Sequence, residues 1–66
     1  MDMSEIYAEH GYHVYRRCLR LLKNEQEAQD VLQDVFLKLS LQQNKLTEPY
    51  NVLPWLYRVT TNACID

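Results

Sequence analysis

The hydrophobic positions along the chain recur at helical intervals in three separate stretches. The clearest is Glu27 to Leu39, where Ala28, Val31, Leu32, Val35, Phe36 and Leu39 stand three or four residues apart. At about 100° per residue they form one apolar stripe of an α-helix. Upstream, Asn24-Glu25-Gln26-Glu27 has the form of a capping box, with Asn24 as N-cap and Glu27 reaching back to it. This helix is predicted to run to about Leu41. An earlier helix is predicted from about Ser4, as N-cap, to Lys23. Its stripe is Ala8, Gly11, Tyr12, Tyr15, Cys18, Leu19 and Leu22. Gly11 in that stripe implies the close approach of another helix, or a bend. A third helix is predicted to start near Asn51, with Pro54 tolerated in its first turn. Val52, Trp55, Leu56, Val59 and Ala63 form its stripe. Thr60 and Thr61 are weak helix formers, so packing must hold that turn.

The polar segment Gln42 to Asn51, with Pro49, reads as a loop. No stretch alternates as a strand does. The fold class expected is all-α, a small three-helix antiparallel bundle. The third stripe is unbroken at Asp66 and meets no C-cap there. A cut helix is therefore expected, and with it a single domain over 1–66 truncated at its C-terminus.

Leu37 does not fit its helix's stripe. It falls on the opposite side, with Asp30, Gln33 and Asp34 and, one turn on, Leu41. An apolar anchor ringed by acids and amides is the pattern of a protein-contact patch. A single exposed leucine is also common and needs no explanation, so periodicity alone leaves both readings open. In PWLYRVTTN, Trp55 and Leu56 belong to the core stripe while Tyr57 points away. Arg58, Asn62 and Ile65 share a flank. A cation, an amide and an exposed aromatic can grip a phosphate and an unstacked base. The plain alternative is a solvated helix edge.

Composition narrows the classes. With 66 residues there is room for one domain, and 47% hydrophobic residues with one glycine and two prolines disfavour disorder and turn-rich β folds. The net charge of −2 gives no global attraction to nucleic acid. The basic run Arg16, Arg17, Arg20, Lys23 lies opposite the first stripe and reads as a solvated face suiting the helix dipole. The start MDMSEIYAEH is no signal peptide, and nothing approaches the ~20 apolar residues of a membrane span. Cys18 and Cys64 lie far apart in sequence and form no CxxC, so they read as reduced, packed thiols in a cytosol. His10 and His13 match no standard zinc framework, and no metal or cofactor is expected. With no nucleophile elbow, carboxylate pair or Gly-rich phosphate loop, no enzyme is expected either.

NEQEAQDVLQDVFLKL followed after a loop by PWLYRVTTNACID resembles region 2 of bacterial sigma-70-type factors, and best the extracytoplasmic-function group. The family carries a helix of the form D-A-x-D-hydrophobic-hydrophobic-Q-E/D-hydrophobic-F, matched here by Glu27 to Phe36. It then carries W-L-Y/F-R/K-hydrophobic-x-x-N, matched by Trp55 to Asn62. RRCLRLLKN fits the family's first helix end more loosely. Either motif alone is weak; the ordered pair is specific.

The resemblance implies that the second helix docks on the clamp helices of the RNA polymerase β′ subunit, through Asp30, Gln33, Asp34 and Leu37. It implies that the third helix helps recognise and melt the promoter −10 element and holds a flipped base of the single strand, through Tyr57, Arg58 and Asn62. The loop Gln43 to Asn51 would shape the base pocket. An anti-sigma factor is the partner in a second reading, a protein-interaction-only bundle. Two departures stand out. Thr60 and Thr61 replace the small or basic residues usual before the asparagine, and the loop has only Lys45 as a base. The basic stretch and the −35-reading domain that follow in the family are absent from these 66 residues. The chain is therefore expected to bind polymerase better than DNA and not to start transcription alone.

Overall fold

A computed structural model describes residues 2–42 and 52–65. It contains three helices, α1 (Met3–Leu22), α2 (Glu25–Gln42) and α3 (Val52–Ile65), and no strand among the described residues. Each helix packs against both others, and only Lys23 and Asn24 separate α1 from α2. So short a link folds α2 back along α1, as in an antiparallel bundle. The expected loop and its Pro49 and Lys45 lie outside the described residues.

The caps follow local chemistry, with one correction. Asp2, not Ser4, is the N-cap of α1: its carboxylate accepts the Ser4 N–H at 2.9 Å, and its carbonyl accepts the Ile6 N–H at 3.1 Å. Both residue types cap well. Starting at Asp2 adds Met3 to the helix, and Met3 packs against the core. At the other end Lys23 takes the left-handed conformation (φ 56°, ψ 35°) and donates its N–H to the Leu19 carbonyl at 2.8 Å. Asn24 caps α2 as expected, its Oδ1 accepting the Glu27 N–H at 2.9 Å. Among the described residues, the Glu27 side chain makes no return bond, so half of the capping box forms.

The core is built from Val14 and Cys18 of α1, Ala28, Leu32, Val35, Phe36 and Leu39 of α2, and Val52 and Leu56 of α3. The α2 stripe is as predicted, with Val31 at its edge. The α1 stripe is rotated. Gly11, Val14 and Cys18 are buried, whereas Ala8 and Tyr12 are exposed. The reason is that α1 meets two helices at once. Its buried arc is centred on the Gly11–Val14–Cys18 line and flanked by Ile6 on one side and Tyr15, Leu19 and Leu22 on the other. A stripe drawn through the tyrosines takes one flank for the centre.

Gly11 is buried, and the side chain nearest to it is Tyr7, one turn earlier in its own helix. A Cβ at Gly11 would lie 3.4 Å from the Tyr7 ring, an ordinary contact, and Tyr7 in turn meets Phe36 edge-on at 4.9 Å. On α3, Thr60 joins Val52 and Leu56 as a buried residue, while Trp55, Val59 and Cys64 are only partly buried against the core. Cys18 and Cys64, 46 positions apart by number (64 − 18), become neighbours, both with free thiols. Burial, and then the adjacent Cys64, push the Cys18 thiol up to about 12. It is a packed, unreactive thiol.

Candidate functional site

Two faces remain outside this core. The first is the outer side of α2. Asp30, Gln33, Asp34 and Leu37 are all exposed, because the stripe Ala28–Leu32–Val35–Phe36–Leu39 turns the other side inward. Leu37 is 60% exposed and Leu41 77%. Gln26 donates to the Asp30 carboxylate at 3.5 Å, and Lys38 pairs with Asp34 at 3.3 Å, one turn away. Such exposed i,i+4 pairs are worth about 0.3–0.5 kcal/mol and break easily when a partner arrives. The face is an apolar anchor set in acids and amides, and its geometry suits a protein surface.

The second face belongs to α3. Tyr57, Arg58 and Asn62 are exposed, with Ile65 beside them. Leu56 and Thr60 interleave with them in sequence and point inward. The helix thus offers an aromatic ring, a cation and an amide across its exposed arc, with Tyr57 and Asn62 about 140° apart round the axis and Arg58 between them. These are the groups needed to stack on a base, hold a phosphate and hydrogen-bond a base edge.

Arg17 lies beside this face, and at this one position the expected solvated basic run is corrected; Arg16, Arg20 and Lys23 are exposed as expected. The Arg17 Nε donates to the Thr61 hydroxyl at 2.9 Å, and its Cζ sits 5.2 Å from the centre of the Tyr57 ring. Arg16 turns elsewhere, over the Tyr12 ring at 5.8 Å and toward its hydroxyl at 3.4 Å. The rotation of the α1 stripe explains the difference. Centring the buried arc on Val14 moves Arg17 from the back of the helix to its edge, beside α3. The sequence held that signal only in Val14, a β-branched residue three positions before Arg17.

His10 lies 3.8 Å from the Glu9 carboxylate, and His13 is exposed. Among the described residues no cluster of His, Cys, Asp and Glu could hold a metal ion, and no helix is long and apolar enough to cross a membrane. The stretch expected to shape a base pocket, 43–51, lies outside the described residues.

The model for sigma-70 region 2 matches residues 6–66 of this chain. The chain is similar to two proteins of Bacillus subtilis (strain 168). It is 32% identical over 65 residues to the ECF RNA polymerase sigma factor SigW, covering 98% of this chain and 33% of that protein. It is 35% identical over 66 residues to the ECF RNA polymerase sigma factor SigM, covering all of this chain and 40% of that protein. To the ECF RNA polymerase sigma factor SigE of Mycolicibacterium smegmatis (strain ATCC 700084 / mc(2)155) it is 32% identical over 63 residues, covering 96% of this chain and 24% of that protein. The chain therefore spans two fifths or less of the length of these relatives. No solved structure matches it significantly.

Proposed function

The chain belongs to the sigma-70 region 2 family, and from that premise we propose a transcription-initiation module with two working faces and no catalytic role. The α2 face, Asp30, Gln33, Asp34 and Leu37, docks on the β′ clamp helices of the RNA polymerase core. The α3 face, Tyr57, Arg58 and Asn62, helps open the promoter −10 element and holds one flipped base of the single strand, in the cytoplasm where polymerase works.

The observation that supports this most is the division of each motif. In α2 the motif's Ala28, Leu32, Val35 and Phe36 are buried and Val31 partly so, while Asp30, Gln33, Asp34 and Leu37 stand free. In α3 Leu56 is buried and Trp55 and Val59 partly so, while Tyr57, Arg58 and Asn62 are exposed. Fold and function thus use different residues of the same motif. The energetics ask for such a face. Extruding a base costs a few kcal/mol. Stacking on an aromatic ring returns about 1–3 kcal/mol per base, and a hydrogen bond from Asn62 to the base edge supplies selectivity. On α2, an exposed leucine covered by a partner has the properties of a hot spot whose acidic rim sets orientation.

The net charge of −2 favours one rival, a bundle that only binds proteins and is held by an anti-sigma factor. Two variants separate the readings. Asn62→Ala is expected to weaken binding of a fluorescent −10-like single strand by roughly tenfold, the size of a lost base contact. Leu37→Asp is expected to abolish binding to a β′ clamp-helix fragment and leave strand binding intact. If Asn62→Ala changes nothing while Leu37→Asp still releases polymerase, the protein-only reading holds.

A further inference from the structure

The bond between Arg17 and Thr61 is, among the described residues, the only nitrogen-to-oxygen side-chain bond that joins two helices. A neutral glutamine could make that link. What the guanidinium adds is charge and a flat surface. It lies over the Tyr57 ring, and no carboxylate among the described residues pairs with it. Tyr57 as a whole residue nevertheless remains 37% exposed. Tyr57 and Thr61 are one helical turn apart, so Arg17 grips the same edge of α3 at both points. Arg58 and Asn62 follow each of them by one residue. Arg17 and the Tyr57 ring therefore form one edge of the exposed arc of α3, and Arg58 and Asn62 continue that arc round the helix.

We propose that Arg17 belongs to the strand-binding surface. Its guanidinium holds the Tyr57 ring in the orientation that stacks on a base, and its terminal N–H groups take a phosphodiester oxygen of the same single strand. The inference rests on the nucleic-acid reading of α3 and extends it to α1. The physical case has two parts. A cation over one side of an aromatic ring fixes the ring without covering its other side. An arginine anchored through Nε still has four N–H donors in a planar fork suited to phosphate. A cation with no carboxylate partner among the described residues also supplies local attraction that the net charge of −2 does not.

The test compares Arg17→Ala, Arg17→Lys and Asn62→Ala in the full chain, by anisotropy of a labelled single strand across a salt series. Arg17→Ala is expected to weaken binding roughly fivefold or more and to lower the salt slope by about 0.7, the single-strand value for one phosphate. Arg17→Lys is expected to restore the slope but not the full affinity, because a lysine has no planar fork to hold the ring. Binding to the β′ clamp helices reports the fold separately and is expected to be unchanged. If Asn62→Ala weakens strand binding and Arg17→Ala does not, Arg17 is a structural clip and the inference is overturned while the α3 reading stands. If polymerase binding falls in step with strand binding, the effect is on folding and the inference is likewise overturned. If neither variant alters strand affinity, both readings fall.

Discussion

Thr60 packs in the middle of α3 with no exposure, and its hydroxyl meets no partner among the described residues. A buried donor left without an acceptor costs about 1–3 kcal/mol. Valine has the same branched shape without the hydroxyl. Thr60→Val is therefore expected to stabilise the bundle by about 1 kcal/mol, a rise in melting temperature of roughly 4–8 °C by circular dichroism. A lower melting temperature would mean that the hydroxyl bonds a helix carbonyl of the preceding turn after all. At this scale the sequence was uneven. Leu37 stood out because a leucine between acids breaks a helical stripe, and the structure leaves it exposed. Thr60 did not, because threonine suits either an exposed or a buried helical position. Whether its hydroxyl finds a partner depends on what packs over that face of α3, which the local pattern does not show.

At the scale of the element, the link between α1 and α2 concentrates two opposite choices in adjacent residues. Asn24 is well chosen: it caps α2 through the Glu27 N–H, and Asn24→Ala is expected to cost about 1 kcal/mol. Lys23 is not. It holds φ 56°, a left-handed conformation that costs a residue with a Cβ roughly 1 kcal/mol and costs glycine almost nothing. Lys23→Gly is expected to stabilise by up to about 1 kcal/mol, less the extra entropy glycine brings to the unfolded chain. Denaturant midpoints of the two variants should therefore move in opposite directions; a loss of stability in Lys23→Gly would contradict the account of this turn. The α2 stripe and its cap were legible because one face of α2 supplies nearly all its contacts. The α1 register was not, because α1 touches two neighbours and its buried arc is wide enough for two plausible centres. That ambiguity also hid Arg17, which is exposed in one register and beside α3 in the other.

For the molecule as a whole, the question is how 66 residues would hold the two proposed surfaces and still fold. A chain of this size has only about 3–10 kcal/mol of stability. Its core is small, and every helix leans on the other two, so a core side chain supports two interfaces at once. A surface side chain supports none and is free to serve a partner. Leu37 and Leu39 sit two residues apart on α2 and fall on opposite sides of this division, the first exposed and the second fully buried. Leu39→Ala is expected to cost about 2–5 kcal/mol, enough to unfold much of the population at 37 °C. Leu37→Asp is expected to cost under about 1 kcal/mol, mostly through the lower helix propensity of aspartate. Urea titrations should show the large shift in midpoint only for Leu39→Ala. Polymerase-fragment binding should be lost in both variants but recover in Leu39→Ala alone when an osmolyte restores folding. Equal stability losses at the two positions would mean that Leu37 belongs to the core, and that α2 has no separate face to offer.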